Sequence, residues 1–172
     1  MGNVDWEGPL PSCGWQASNG VASLDLVGTG GIGGIQQTFD TVPGTTYQLS
    51  FDMAGNFAAP PVIKPLAVTI NGVTSNFTFD TTGRSGSAMG WTTHTLTFVA
   101  DDLASTVLFV SDVTASGGSL NAGAALDNVR IGPPGAPAAA AVAVPLDWVQ
   151  WLAALAIVMA VAVGMRRRAR NR

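Results

Sequence analysis

Between Tyr47 and Met53 every second residue is apolar: Tyr47, Leu49, Phe51 and Met53 alternate with Gln48, Ser50 and Asp52. The same beat recurs in Leu66, Val68 and Ile70, in Phe77 and Phe79, and in Leu96 and Phe98. A strand turns successive side chains to opposite faces, so a period of two predicts strands with one buried and one wet face. Eight such runs stand between residues 20 and 131: VASLDLVG, GIQQTFDTV, TTYQLSFDMAG, LAVTING, SNFTFDTT, WTTHTLTFVA, STVLFVSDV and AALDNVRI. Pro43-Gly44 and Asn71-Gly72 are turn chemistry, and the second pair sits at hairpin spacing. No segment before residue 146 has a helical period. The pattern predicts an all-β fold, an antiparallel β-sandwich of jelly-roll type.

The last run sets a carboxylate against this pattern. Strict alternation in AALDNVRI puts Ala125, Asp127, Val129 and Ile131 on one face, so Asp127 points inward if Val129 and Ile131 do. A buried carboxylate needs hydrogen bonds or a cation. Three readings follow. Asp127 caps neighbouring backbone amides near a strand end, it is a ligand of a structural Ca²⁺, which prefers carboxylate and carbonyl oxygens, or the strand is out of the assumed register and Asp127 does not point inward.

After Ile131 the composition changes. GPPGAPAAAAVAV is a Pro/Ala linker without a period of its own. It leads to an uncharged run of 18 residues, Trp148 to Met165, which as a helix spans about 27 Å, enough for a bilayer core. Trp148 and Trp151 suit one interface, and Arg166, Arg167 and Arg168 the other, which positive-inside logic puts in the cytoplasm. Charge follows the same division. All 11 acidic residues lie between Asp5 and Asp147, against only Lys64, Arg84 and Arg130; the other basic residues are arginines beyond Met165. An acidic body argues against nucleic acid, which needs a basic face. The expected organisation is therefore a sandwich over 1–132, a linker over 133–143, and a membrane-spanning tail over 144–172.

Candidate chemistry is sparse. Cys13 is the only cysteine, which excludes an intrachain disulfide and a Cys-based zinc site. His94 is the only histidine and lies in a strand pattern, where it is expected to face solvent. No nucleophile–base set and no carboxylate pair at a telling spacing is visible, so no enzyme is expected. GTGGIGG at 28–34 leads into a strand rather than a helix N-terminus and holds no phosphate. Trp6 and Trp15, in an irregular Gly/Pro-rich segment, and Phe57, in the loop AGNFAAPPVIKP, are the candidates for stacking on sugar rings, provided they are exposed.

Two resemblances bear on function. The tail, with Val144-Pro145, Trp148, Trp151, a short apolar run and a terminal arginine cluster, resembles bacterial C-terminal sorting signals of the PEP-CTERM kind, most of all the IPTL-CTERM variant. LDWVQW departs from the usual TLxxWG of that variant. The resemblance implies an exosortase-type membrane enzyme as partner and transit through the inner membrane to the cell surface or extracellular matrix. The body, through GNVDW, SLDLVG, QTFDTVPGTTYQLSFDMAGN, FTFDTTGRSGSAMGWTTHTLTF and ALDNVRI, resembles the choice-of-anchor C proteins. That resemblance implies a galactose-binding-like fold, polysaccharide association, and a structural calcium with Asp127 among its ligands. Such proteins open with a signal peptide and an NGSFE-like first strand; neither is read in MGNVDWEG, so the sandwich is expected to lack that strand and leave a sheet edge open.

Overall fold

A computed structural model describes residues 3–8, 14–114, 117–118 and 120–135. The tail residues Val144, Pro145, Trp148, Trp151, Arg166, Arg167 and Arg168 lie outside them, as does Cys13. Among the described residues no helix is long and apolar enough to cross a membrane.

The described residues form nine strands: β1 (Asp5–Glu7), β2 (Ser23–Asp25), β3 (Gly34–Asp40), β4 (Thr46–Gly55), β5 (Ile63–Ile70), β6 (Val73–Asp80), β7 (Thr92–Val99), β8 (Ala104–Val110) and β9 (Ala124–Gly132). One sheet has the order β1-β2-β9-β4-β7 and the other β3-β8-β5-β6. Every pairing is antiparallel. From β2 onward the chain passes back and forth between the sheets, except at the β5–β6 hairpin, which is the strand order of a jelly roll. All eight expected runs are strands. The ninth, β1, is formed by the DWE of GNVDW and is the edge strand beside β2.

The core lies where the inward positions of the two sheets meet. Leu49, Phe51 and Met53 of β4 face Leu66 and Val68 of β5 and Phe109 of β8, all essentially buried. Phe51 stands edge-on to Phe77 and to Phe109, with ring centroids 5.3 Å apart in both pairs. Each such side chain stabilises the fold by about 1.5–3 kcal/mol on burial. His94 is not the solvent-facing residue expected. Its register partner is Phe51, so it takes an inward position near the sandwich flank. There its ring packs on Phe51 and Phe77 at 5.5 and 4.8 Å.

The β5–β6 hairpin turns at Asn71-Gly72, both with positive φ (46° and 85°), as a two-residue type I′ connection requires. Asn71 also ties this turn to its neighbours. Its Oδ1 accepts the Thr106 N–H at 2.9 Å, and its Nδ2 donates to Asp101 Oδ1 and Ser105 Oγ, both at 3.1 Å.

A bulge in β9 overturns one expectation. Asp127 pairs with Asp52 and Arg130 with Ser50, so Phe51 of β4 is opposed by two residues, Asn128 and Val129. Asn128 takes the left-handed conformation (φ 52°) that Asn tolerates better than most residues. The extra residue reverses the alternation. Leu126 and Ile131, partners of Met53 and Leu49, face the core; Asp127 lies beside Asp52 on the opposite face, and Val129 is 40% exposed. Asp127 therefore does not share a face with Ile131.

Candidate functional site

The outer face of the β1-β2-β9-β4-β7 sheet is partly roofed by residues 14–20. Trp15 is anchored there, 2% exposed, its Nε1 donating to Ser23 Oγ at 2.8 Å. Gln16 N–H donates to Gly86 O at 2.7 Å, and Gln16 O accepts the Trp91 Nε1–H at 2.9 Å. Ser18 Oγ donates to Asp52 Oδ2, and Asn19 N–H to Asp127 Oδ2 at 2.8 Å. Trp15 as a sugar platform is thereby corrected: burying its ring under the roof gives it packing and a hydrogen-bond partner but no access to a ligand.

Asp52 is the hub under this roof. Besides Ser18 it accepts Thr93 Oγ1–H at 2.6 Å and Asn128 Nδ2–H at 2.9 Å. Burial pushes its carboxyl up, but the bonds from Ser18, Thr93 and Asn128, with the Arg130 charge, outweigh that and hold it below the ordinary 3.8. Arg130 Nε in turn donates to Asn128 Oδ1 at 2.7 Å.

Asp127 spends both oxygens on backbone amides, Oδ2 on Asn19 and Oδ1 on Asn128 at 2.6 Å. This is the amide-capping reading of the residue. Two of its roughly four lone-pair sites are thus taken by N–H groups. Among the described residues no three His, Cys, Asp or Glu side chains gather into a metal-binding group.

The flank of the sandwich is open instead. Among the described residues β3 is the last strand of its sheet, and β2 pairs with β9 only at Ala125 and Leu126, which leaves β9 without a strand partner on that side beyond the bulge. Trp6, Leu24 and Leu126 share one row across β1, β2 and β9. Leu126 is buried, Leu24 half-buried and Trp6 68% exposed, because the row runs out past the edge of the facing sheet. Trp6 thus walls a shallow recess of about 190 Å³ with Leu24, Ile35 and the bulge residues Asp127, Asn128 and Val129. A second recess of about 340 Å³ continues beside it, lined by Gln37, Phe39, Asp40, Tyr47, Arg130 and Ile131. The two meet at Val129. Tyr47 stacks on Phe98 at 5.7 Å, and its hydroxyl accepts the Val42 N–H at 3.1 Å. The groove therefore has an exposed indole at one end, a phenol at the other, an apolar floor, and carboxylate, amide and guanidinium groups along its length.

Phe57 is not part of it. It follows β4 in the loop before β5 and packs half-buried against the core. The aromatic candidates thus do not converge, and Trp6 alone stands exposed in a recess. The groove's other residues were missed in sequence reasoning, since Tyr47, Ile35 and Ile131 read as ordinary inward positions of their strands.

Comparison with solved structures finds proteins of similar architecture. The chain is 12% identical to a family 35 carbohydrate binding module from Clostridium thermocellum, covering 76% of this chain and 92% of that one (TM-score 0.48). It is 14% identical to a family 35 carbohydrate binding module from an environmental isolate, covering 77% and 91% (TM-score 0.47). It is 18% identical to the EclA C-terminal domain, a sugar-binding protein, covering 57% and 65% (TM-score 0.44). Likenesses of this size say nothing of what this chain binds. No curated protein matches it in sequence. Over residues 2–132 the chain matches the family model described as "Protein of unknown function (DUF642)", and it belongs to that family.

Proposed function

We propose that this is a non-catalytic surface protein whose β-sandwich, galactose-binding-like in kind, holds polysaccharide along the flank between β3 and β9. One observation carries this reading. Trp6 is a large flat ring, 68% exposed, standing over an apolar recess rimmed by Asp127 and Asn128. An indole left in water at the edge of a recess costs hydration free energy that a pyranose face stacked on it relieves. The adjoining Asp40, Gln37 and Arg130 supply the directional hydrogen bonds that sugar hydroxyls need. The experiment is retention of the protein in native gels cast with xylan, galactan, mannan, pectin or β-glucan. One or more of these retards the wild type, and Trp6→Ala abolishes the retardation. A wild type that runs unretarded in all five overturns the carbohydrate reading.

Export and sorting rest on the tail. The Trp148–Met165 run and the arginines after it support membrane insertion with the sandwich on the far side, and Val144-Pro145 supports recognition by an exosortase-type enzyme. The mature ends, read by mass spectrometry after fractionating the host's cytoplasm, membrane and surface, test this. A surface form lacking everything beyond about Val144 supports sorting, and an intact Arg172 held in the inner membrane contradicts it.

A further inference from the structure

On the flank away from β3 the two sheets end side by side. Among the described residues β7 is the last strand of one sheet and β6 of the other. The β7 edge lacks the usual defences against pairing. It runs from Thr92 to Val99 in unbroken register with β4, with no bulge, no proline and no Lys, Arg, Asp or Glu. Edge strands that stay single are normally short, bulged or charged, as β1 is, with three residues of which two are Asp5 and Glu7.

The direction of the β7 backbone groups follows from the residue after it. Ala100 N–H donates to Thr45 O at 3.0 Å, and Ala100 O accepts the Gly44 N–H at 2.8 Å, so both groups of Ala100 turn toward the β4 side. Along an antiparallel strand this direction alternates. Phe98, Leu96 and His94 therefore also bond toward β4. Thr93, Thr95, Thr97 and Val99 aim their N–H and C=O groups away from the sheet, where no described strand meets them, and all four residues are exposed.

The two ends of this flank carry opposite charge. At one end the exposed Arg84 lies over the Phe79 ring, 5.6 Å from its centroid, and against Gly90, where a Cβ would collide with the guanidinium. Its charge also reaches Asp80, whose Oδ1 is held by the Thr82 N–H at 2.8 Å. At the other end stand Asp101 and Asp102, both exposed and both holding neutral donors, Asn71 Nδ2 at 3.1 Å and the Leu103 N–H at 2.6 Å. Beside them a recess of about 280 Å³ is walled by Leu96, Phe98, Val73 and Val99. Val73 is 73% exposed and Val99 59%.

We propose that two copies of this chain pair through β7, antiparallel about a two-fold axis at Leu96, joining their five-stranded sheets into one. A second copy is the occupant that fits, because the flank is complementary to itself. With Leu96 opposite Leu96, Thr95 faces Thr97 and Thr93 faces Val99. Every outward backbone group of the four residues then finds a partner, in about eight hydrogen bonds, and threonines pair across the seam on the outer face. Counting on in the same register sets Gly90 opposite Asp102 and Trp91 opposite Asp101. Each Arg84 thus comes to the two acids of the other copy. Other approaches bring acid to acid: the acidic residues up to Asp127 are set against only Lys64, Arg84 and Arg130, and Lys64 is buried. The flank between β3 and β9 lies on the far side of each copy and stays clear of the pairing.

Sedimentation velocity of the full chain in detergent tests this, at about 100 µM, enough to populate a dimer with a micromolar dissociation constant. The wild type is expected as two copies per particle. Thr95→Pro removes one outward N–H and spares the bonds to β4, as proline does on an edge strand. It is expected to leave the near-ultraviolet circular dichroism unchanged and to give one copy per particle. Arg84→Glu and Asp102→Arg are each expected to weaken pairing about tenfold. An equimolar mixture of these two variants should pair better than either alone, since each cation then meets an acid. A wild type that stays single overturns the proposal. So does a pair that survives Thr95→Pro, which places the contact elsewhere, and so does a mixture that pairs no better than its components.

Discussion

Asp52 and Asp127 stand opposite each other across the β4–β9 ladder, on the face turned away from the core. Between them they hold the strap of residues 14–20 that roofs this face, Asp52 through Ser18 and Asp127 through the Asn19 amide. Two like charges side by side in a sheet repel. Here each is committed to donors: Asp52 to Ser18, Thr93 and Asn128, Asp127 to two backbone N–H groups.

Removing Asp127 leaves the Asn19 and Asn128 amides without their acceptor. Asp127→Ala is expected to cost about 0.5–1.5 kcal/mol, the usual net worth of such a hydrogen bond, since the Asn19 amide is exposed and can turn to water. Denaturant titration reads the loss, and hydrogen exchange at Asn19 should quicken while that at Leu49 and Phe51 does not.

Asp52 sets an acid limit. Its folded carboxyl titrates below the ordinary 3.8, so the stability it contributes is complete above 3.8 and is lost as pH falls through the lower folded value. Asp52→Asn should flatten the fall in melting temperature across that window. An acid limb unchanged by the substitution would mean that another carboxylate governs it.

Calcium added or chelated should leave the melting temperature in place, because Asp127 holds two backbone amides and, among the described residues, no three His, Cys, Asp or Glu side chains gather to hold an ion. A rise of several degrees with millimolar calcium would show that the carboxylate turns away from Asn19 to take the ion.

The two N-terminal tryptophans should behave oppositely. Trp15→Ala empties a buried site and breaks the bond to Ser23, with an expected loss of about 3–5 kcal/mol. Trp6→Ala touches a ring that is mostly in water and should change stability by less than about 0.5 kcal/mol. Thermal melts of the two variants separate the residue that holds the fold from the one assigned to binding.

The strands were legible because a period of two survives in nearly every run, and the Asn71-Gly72 hairpin because only a few residue pairs suit that turn. The bulge was not legible. In AALDNVRI only the carboxylate of Asp127 in the inward row jars with the alternation; the extra residue itself shows in the left-handed Asn128, and it moves Asp127 from the core face to the outer one. β1 is three residues long, too short for a period to register. Trp15 lies in a segment without secondary structure, where burial depends on what a distant stretch of chain covers. Lys64 falls in AGNFAAPPVIKP, read as a loop, so its buried place on β5 and the Ala59 and Ala122 carbonyls that hold it show only in the fold.

The most direct test of carbohydrate binding at the flank is hydrogen–deuterium exchange of the full chain with and without the retained polysaccharide's oligosaccharide. The unpaired edge of β9 beyond Asn128, the facing edge of β3 at Gln37, and β1 around Trp6 should become protected together. Protection confined to the loops around Phe57, or to the roof over Asp52, would place the sugar elsewhere and contradict the account.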